Sequence, residues 1–466
     1  MNRSAPADRF DPRRLERILR SDFGLGDHED IFVAFSGGLD STVLLHALLH
    51  VESIDIERIS ALHVNHGLND DARRWEQCCR QRCLEWGVRF RSHCMEPSDI
   101  RGRGMEAMAR DMRYRWLSGA VTDGSALMTA HHQDDQAETV LASLFRGSGV
   151  RGMSGIRAAR PFARGSIWRP LLEVPRALLA KYGAENDLEW IEDPMNTDCR
   201  FTRNHLRHRV LPLVREKWPG VDSVIARGAQ NFLDASELLD EIAESDLLRV
   251  PQRSEGRFYT LSIPDLRRYS RPRMINALRW WFEQCGFEFP SRRRLLDVVT
   301  SLIERKPEPT CLLSWPGTEV RRYRNTLYLS RTANDAEIRD VTWNRMGTEP
   351  VILNGRELVV RNTVGDGIRR SIYEGSPISI RPRRGGERCR APGSACTKTL
   401  KKIFQEKGVA PWRRNDFPLL YVGDDLAGIA GLCYCQPFAV ERKEPGVVFD
   451  VVEVQGAAGE EEDLFP

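Results

Sequence analysis

The feature that most constrains this chain is residues 31–45, where an apolar strand-like run, a turn of small residues and an aliphatic helical pattern follow one another. Gly37 and Gly38 in the turn allow a tight bend and a close approach of the backbone to an anion. The first N–H groups of the following helix, together with its dipole, favour negative charge at the same place. A strand, a glycine turn and a helix in this order therefore predict a phosphate-binding loop in an α/β fold.

The turn itself supplies the residues predicted to bind a nucleotide. They are Ser36, Gly37, Gly38, Leu39, Asp40 and Ser41. Ser36, Ser41 and Thr42 add hydroxyl donors. Because a carboxylate beside phosphate is repulsive unless a hard cation such as Mg²⁺ lies between them, Asp40 is predicted to be a metal ligand. The same residue types also serve as ordinary turn and cap residues, and local chemistry alone does not decide between these two interpretations.

Length and composition set the broad class of the protein. A chain of 466 residues is long enough for about two to four domains. A content of 41% hydrophobic and 29% charged residues is typical of a soluble globular protein. No apolar run is long enough to cross a bilayer and the N-terminus lacks a signal-peptide core, so a cytoplasmic protein with no membrane partner is predicted. Eleven cysteines are too sparse for a disulfide framework, and we expect them to be reduced.

The distribution of charge is more informative than the net charge of +3. Arginines occur in clusters, often beside Trp or Tyr. These clusters are Arg267 and Arg268, Arg271 and Arg273, residues 292–294, Arg321 and Arg322, residues 381–384, and Arg413 and Arg414. Arginine binds phosphate bidentately and stacks on bases, so arginine mixed with aromatic residues suits RNA. For any single cluster, a solvated helix face is an equally good interpretation.

Residues 1–217 alternate strand and helix patterns, which predicts a parallel sheet covered by helices. Predicted strands lie at 59–64, 88–93 and 126–130, and predicted helices at 70–86 and 105–117. Polar clusters follow three strands of this region, at residues 36–41, 63–68 and 131–138. In open parallel sheets the ligand binds beyond the carboxyl ends of the strands, so the three clusters predict a single site.

The remainder of the chain has a different character. Helical patterns with Arg and Trp predict a mainly helical domain over residues 218–340, and short β-like runs predict a small mixed α+β domain over residues 341–455. Residues 456–466 are predicted to be an acidic disordered tail.

Two further segments carry charged residues at helical spacing. In residues 131–138, Glu138 shares a helix face with Asp134, Asp135 or both, and carboxylates grouped in this way need a cation or a basic ligand. The adjacent histidines lack the spacing of a helical zinc motif, so a zinc site is the weaker interpretation. Glu106, Arg110 and Arg113 also share one face, for which an exposed salt bridge is the simpler explanation when the segment is considered alone.

The complete set of motifs resembles the tRNA(Ile)-lysidine synthetase family, whose catalytic domain is an N-type ATP pyrophosphatase with an SGGxDS loop. The matching segments are SGGLDS at 36–41, HVNHGL at 63–68, EAMARDMRY at 106–114, HHQDDQAET at 131–139, LFRGSG at 144–149, RPLL at 169–172, EDPMNTD at 192–198 and FTRN at 201–204. Residues 400–432 resemble the C-terminal domain of the longer form of that family. Two departures from its common pattern are Pro194-Met195 and Asn65, and neither involves a predicted catalytic group.

The resemblance implies the reaction and its participants. ATP would adenylate the C2 oxygen of the wobble cytidine in an isoleucine tRNA with a CAU anticodon, and the ε-amine of free L-lysine would then attack C2 and expel AMP. Asp40 with Mg²⁺, and Arg110 or Arg113, would stabilise the leaving pyrophosphate. Asp135 and Glu138 would bind and activate lysine. The second and third domains would bind tRNA, and a homodimer is left open.

Two other functions fit part of the pattern. A tRNA thiolase of the same superfamily generally needs paired or catalytic cysteines, whereas this chain has no CxxC and its cysteines lie outside the motif loops. A non-catalytic tRNA-binding protein would not require Asp40, Asp135 and Glu138 to be intact. A zinc site at Cys389, Cys396, Cys433 and Cys435 is less favoured than buried free thiols, because the spacing lacks CxxC pairs.

Overall fold

The structure is a computed structural model of the chain. It describes residues 9–26, 30–65, 67, 71–95, 105–255, 257–306, 311–332, 341–343, 351–353, 356–441 and 443–453. The chain forms two compact units, Met1–Leu239 and Asp240–Pro466, and the boundary falls within one long helix.

The first unit is built around a six-stranded sheet with the strand order β3-β2-β1-β4-β6-β5, in which only β5 is antiparallel to its neighbour. The strands are β1 Ile31–Ala34, β2 Ile59–Asn65, β3 Arg89–Cys94, β4 Ala126–Met128, β5 Ala159–Phe162 and β6 Gly165–Trp168. The helices are α1 Pro12–Asp22, α2 Leu39–Leu49, α3 Ala72–Glu85, α4 Met105–Ala120, α5 Gln133–Phe145, α6 Val150–Met153, α7 Arg176–Glu185, α8 Thr202–His205, α9 Leu211–Lys217 and α10 Val221–Leu247. Single 3₁₀ turns lie at Ile56–Arg58 and Pro194–Thr197, and a π-helical turn lies at Leu206–Val210.

Helices cover both faces of this sheet. Ile31 and Val33 of β1 pack into a core that contains side chains from α1, α2, α3 and α7. Phe32, which points the other way, packs with Leu117 of α4 in a second core. Strands buried on both faces are characteristic of parallel sheets. The predicted α/β fold of this region is confirmed, and the predicted strands and helices are present with ends shifted by a few residues.

The topology explains why the polar clusters meet. β1 lies between β2 and β4, so the strand order reverses there, and the carboxyl ends of all three strands lie at one edge of the sheet. Ligands of open α/β sheets bind at such a switch point. The cluster after β2 is only partly described, because His66 and residues 68–70 lie outside the described residues.

The second unit contains antiparallel sheets. Their strand orders are β7-β8-β11-β10-β9, β12-β16-β19-β20-β21, β13-β14-β22-β15 and the pair β17-β18. The strands are β7 Gln252–Glu255, β8 Phe258–Ser262, β9 Leu312–Trp315, β10 Thr318–Tyr323, β11 Thr326–Ser330, β12 Val341–Trp343, β13 Val351–Leu353, β14 Arg356–Val364, β15 Ile368–Arg369, β16 Ile378–Arg381, β17 Arg388–Cys389, β18 Lys398–Thr399, β19 Leu419–Val422, β20 Asp425–Ile429, β21 Cys433–Tyr434 and β22 Pro445–Glu453. The helices are α11 Ile263–Leu266, α12 Arg271–Gln284, α13 Arg292–Asp297, α14 Arg370–Gly375 and α15 Leu400–Glu406, with a π-helical segment Val298–Glu304 and a 3₁₀ turn Pro411–Asp416.

The region predicted to be mainly helical, residues 218–340, does contain more helix than strand, but it also holds a five-stranded sheet that the prediction omitted. β10 shows the reason: it alternates buried Val320 and Arg322 with less buried Arg321 and Tyr323. Arginines on both faces hide the apolar alternation by which a strand is recognised. Residues 240–466 form one compact unit, and the predicted domain boundary at residue 340 stays a prediction.

The cysteines differ from expectation at one place. Cys389 and Cys435 form a disulfide across a sequence separation of 46 residues, so the prediction that all cysteines are reduced thiols is wrong for this pair. Cys389 ends β17 and Cys435 follows β21, and both pack against Phe404 and Leu419 in a small core of their own. The spacing of the two cysteines in sequence contains no sign of this contact, because the fold of the intervening residues creates it.

No helix within the described residues is long and apolar enough to cross a membrane.

Candidate active site

The loop after β1 has the geometry of an anion site. Gly37 has a φ of +81°, a left-handed conformation that favours glycine. Gly38 is the N-cap of α2 and has no side chain to satisfy the first N–H groups of that helix. A helix N-terminus without a side-chain cap presents those donors and the positive end of its dipole to a ligand.

Hydroxyl groups hold this loop in place. Ser41 Oγ donates to the Gly38 carbonyl at 3.1 Å and lies 3.0 Å from Ser36 Oγ. Thr42 is fully buried, and its hydroxyl donates to the Gly37 carbonyl at 3.3 Å. The Thr42 hydroxyl, predicted as an additional donor of the loop, therefore donates to the loop backbone itself.

Two side chains form the floor beneath Gly37. A Cβ atom on Gly37 would lie 2.5 Å from Cys79 Sγ and 2.8 Å from Ile191 Cδ1. The backbone N–H of Ile191 also donates to the Gly37 carbonyl at 2.9 Å. Position 37 therefore requires glycine both for its backbone conformation and for the space beneath it.

Asp40 lies in the first turn of α2 between two basic side chains. His132 Nε2 is 3.5 Å from Asp40 Oδ2, and Arg176 Nε is 3.5 Å from Asp40 Oδ1. Oδ1 is buried and accepts no hydrogen bond from the described residues. Mg²⁺ is usually held by one or two carboxylates together with substrate phosphates, so an accepting oxygen without a hydrogen-bond donor at this helix terminus fits such an ion. The described residues contain no group of three or more His, Cys, Asp or Glu side chains suited to a metal.

His132 connects this loop to helix α5. It is the N-cap of α5 and is 1% exposed. Its Nδ1 accepts from the Asp135 backbone N–H at 3.4 Å, so the ring proton of the neutral form is on Nε2, which faces Asp40. Burial alone would lower the pKa of His132, but the hydrogen bond to Asp40 and the charges of Asp135, Asp40 and Asp134 raise it.

Asp135 and Glu138 form one carboxylate pair on the inner face of α5, as predicted from their spacing. Each of the two carboxylates binds both Arg203 and Arg207. Arg203 donates to Asp135 Oδ1 and to Glu138 Oε2, both at 2.7 Å. Arg207 donates to Asp135 Oδ1 at 2.8 Å and to Glu138 Oε1 at 2.5 Å. Glu138 is 1% exposed, and buried charges of this kind persist only when they are paired.

The electrostatics of the pair follow from these contacts. Burial would raise the pKa of Asp135, yet His132 and Arg203 lower it below its usual value. Burial likewise works against the charges of Arg203 and Arg207, whose pKa values the two carboxylates raise. The charged cluster is therefore stable as a set of ions, and each ion depends on the others.

Asp134 binds Arg176 and Arg215, and not the two arginines that bind Asp135 and Glu138. Its Oδ1 accepts from the Arg176 backbone N–H at 3.1 Å and its Oδ2 from Arg215 at 2.8 Å. Arg215 also binds Asp222, in the first turn of α10, at 2.7 Å and 2.9 Å. This arginine thus joins α5 to the start of α10.

The predicted phosphate-binding arginines of α4 are only partly described. The side chain of Arg110 lies outside the described residues. Arg113 is on the exposed side of α4, and its charge acts on His63 at the end of β2, whose pKa is lowered by burial and further by Arg113. His63 Nδ1 donates to the carbonyl of Phe35, the residue before the phosphate loop, at 2.9 Å. The charge of Arg113 thus acts on His63, and the contact of Arg113 with phosphate remains a prediction.

Four arginines of the site were not predicted from the sequence. They are Arg176, Arg203, Arg207 and Arg215. Arg203 lies in the FTRN segment and Arg207 follows it by one helical turn, which was the available signal. The carboxylate partners of these two are 65 to 72 residues away in sequence, so the pairing itself depends on the fold.

Three family models match this chain: a PP-loop domain at residues 10–214, a TilS substrate binding domain at residues 261–328 and a TilS substrate C-terminal domain at residues 378–451. The tRNA(Ile)-lysidine synthase of Coxiella burnetii is 37% identical over 94% of this chain and 96% of its own length. The protein of the same name from Alkalilimnicola ehrlichii is 37% identical over 92% of this chain and 94% of its own length. Among solved structures, the U34-tRNA thiolase NcsA of Methanococcus maripaludis aligns with a TM-score of 0.40 and 17% identity over 48% of this chain and 77% of that chain.

Proposed function

Because this chain belongs to the tRNA(Ile)-lysidine synthase family, we propose that it ligates free L-lysine to C2 of the wobble cytidine of an isoleucine tRNA with a CAU anticodon. The reaction consumes ATP and releases AMP and pyrophosphate. The observation that carries the proposal is 37% identity to the Coxiella burnetii synthase over 94% of the chain, which includes the catalytic unit and both substrate domains.

The first step is transfer of AMP to the cytidine. The C2 oxygen attacks the α-phosphorus of ATP, and the bond to pyrophosphate breaks. The N-terminus of α2 binds the phosphates, and the left-handed Gly37 lets the backbone approach them. Asp40 would hold Mg²⁺ through Oδ1, and the ion would neutralise negative charge on the leaving pyrophosphate. His132 orients Asp40, since its Nε2 proton faces the other carboxylate oxygen.

The second step is attack of the lysine ε-amine on C2 with loss of AMP. The amine must give up a proton, and Asp135 and Glu138 are the carboxylates that would bind the cationic substrate. Both carboxylates are paired with Arg203 and Arg207 in the structure. Lysine would therefore compete with these guanidinium groups for the carboxylate oxygens, and a displaced arginine would be free to bind phosphate.

The alternative of tRNA thiolation lacks support at the loop. The thiol that packs against Gly37 is that of Cys79, and burial raises its pKa to about 12, with a further contribution from Cys83. A reactive cysteine requires the opposite shift, because the thiolate is the nucleophile. Use of lysine and Mg²⁺, a homodimer and a cytoplasmic location remain predictions.

The test is incubation of the protein with ATP, Mg²⁺, labelled lysine and tRNA transcripts that differ only at the wobble base. Label should enter the isoleucine transcript with a CAU anticodon, with one AMP released per lysine. Label in no tRNA, or equal label in a methionine tRNA, would contradict the proposed substrate.

A further inference from the structure

The sheet β7-β8-β11-β10-β9 is buried on the face that points away from its helices. Side chains of a strand alternate between the two faces. Leu327 and Leu329 of β11 pack into the helical core, so Tyr328 points to the opposite face, where it is nevertheless only 8% exposed. Phe258 of β8 is 2% exposed and lies against Tyr328 with ring centroids 6.1 Å apart. Another part of the second unit must cover this face.

The cover is the segment 405–416 from the C-terminal region. Trp412 of the 3₁₀ turn Pro411–Asp416 meets Tyr328 edge-to-face at 5.6 Å and Tyr323 at 6.1 Å. The guanidinium of Arg321 lies 5.2 Å from the centre of the Trp412 ring. The indole N–H is buried and has no acceptor among the described residues. Ring packing and a cation–π contact therefore hold Trp412 in place.

Polar contacts flank the tryptophan on both sides. Arg324 donates to the Gln405 carbonyl at 2.8 Å. Arg257 lies 3.7 Å from Asp416. Arg413 lies over the ring of Phe258 at 5.6 Å. The contact is thus a continuous interface between residues 257–328 and residues 405–416, which lie in the two matched substrate domains or next to them.

We propose that Trp412 locks the substrate binding domain and the C-terminal domain into one rigid body, and that tRNA is bound by this body as a unit. The inference rests on the proposed tRNA substrate for its consequence but not for its geometry. Two RNA-binding surfaces held at the spacing of one tRNA bind it as a bivalent ligand, and part of the gain in affinity is lost when their relative position must be ordered on binding.

The direct test compares Trp412→Ala with the wild-type chain. Backbone amides of β10 and β11 should exchange hydrogen faster in the variant, because their covering side chain is gone while their own sequence is unchanged. Affinity for the isoleucine transcript should fall by about tenfold or more. ATP affinity should stay within about twofold, because the phosphate loop is in the other unit. Trp412→Phe should retain most of the affinity, since the indole N–H has no acceptor among the described residues.

Trp343→Ala is the matched control. Trp343 packs inside the C-terminal region, with its ring 5.6 Å from that of Phe449 and its indole N–H donating to the Tyr373 hydroxyl at 3.4 Å. This change should therefore leave exchange at residues 318–330 as in the wild type. If Trp412→Ala leaves exchange at residues 318–330 and tRNA affinity unchanged, the lock does not exist. Faster exchange at residues 318–330 in both variants would mean general loosening and would also overturn the proposal.

Tyr328→Leu removes the aromatic ring that contacts Trp412 from the side of the substrate binding domain. If the two side chains act together, the double variant should bind tRNA no more weakly than Trp412→Ala alone, whereas additive losses would contradict a shared contact. If the wild-type chain binds no tRNA but Trp412→Ala still speeds exchange in β10 and β11, the lock stands and the proposed function fails.

Discussion

Asp40 is the residue on which we expect ATP chemistry to depend most. Asp40→Asn keeps the shape of the side chain and removes the charge that would hold Mg²⁺. AMP formation should fall by at least about 100-fold, the usual cost of removing one charge-stabilising group from an active site. Thermal stability and tRNA affinity should change little. Asp123→Asn, in an exposed turn, is the control, and wild-type turnover by Asp40→Asn would refute the metal role.

Glu138 is predicted to serve lysine more than ATP. Glu138→Gln should lower kcat/KM for lysine more than kcat/KM for ATP. The change also leaves Arg203 and Arg207 with fewer acceptors, so a loss of about 1–3 kcal/mol in stability is expected. Assays below the melting transition separate the two effects, with exposed Glu173→Gln as the control. Equal losses for both substrates would show that Glu138 has been assigned the wrong role.

His46 should make the protein sensitive to acid. Burial, and to a smaller extent the charge of His50, lowers the pKa of His46 from 6.5 to about 4. Between these two pH values His46 binds a proton in the unfolded chain but not in the folded chain. The free energy of unfolding therefore falls as pH drops from about 6.5 towards about 4. Melting temperatures measured across this range should decline less steeply for His46→Gln. Parallel curves for the two proteins would rule out this source of acid sensitivity.

At the scale of elements, the phosphate loop depends on a glycine with two constraints. Gly37→Ala places a residue with a side chain in a left-handed backbone conformation, which costs roughly 1–2 kcal/mol. The added Cβ would also clash with the side chains of Cys79 and Ile191. ATP affinity should fall by about tenfold or more because the floor of the loop must move. Gly24→Ala is the control, since its φ is +65° but no atom lies within 4 Å of the added Cβ. Weaker ATP binding in both variants would point to general destabilisation.

At the scale of the whole molecule, basic residues of the second unit should control the salt dependence of tRNA binding. Deletion of the chain from residue 365 onward would remove many of these basic residues, but it would also damage the fold of the second unit. The deletion removes β22, which pairs with β14 along its whole length, and it removes Trp412, which covers Tyr328. Lys401→Glu with Lys402→Glu changes two positions on the exposed side of α15. For every phosphate that the double variant no longer binds, the slope of log affinity against log salt should become shallower by roughly 0.7–0.9.

ATP affinity should be unchanged in this double variant. Lys181→Glu, on the exposed side of α7 in the first unit, is the matched control. Binding curves at several salt concentrations decide the matter. Identical slopes for the double variant and the wild type would mean that α15 presents only a solvated surface.

Features that depend on neighbouring residues were predictable from the sequence. The bend at Gly37 follows from the conformational freedom of glycine, and the shared face of Asp135 and Glu138 follows from helical periodicity. The meeting of three polar clusters at one sheet edge follows from a rule about parallel strands. The first two depend on short-range geometry that any chain with the same local pattern would share, and the third requires only that the strands alternate with helices and lie parallel.

The tertiary structure decided the remaining features, because each depends on residues that are distant in sequence. Arg203 and Arg207, which pair with the two carboxylates, lie in helix α8 and the π-helical turn after it, at least 65 residues downstream of their partners. The Cys389–Cys435 bond and the sheet beneath Trp412 likewise form only when separate segments pack together. The fold determines which group each side chain contacts. The sequence does not reveal that contact, because a guanidinium has the same chemistry whether it faces RNA, a carboxylate or an indole ring.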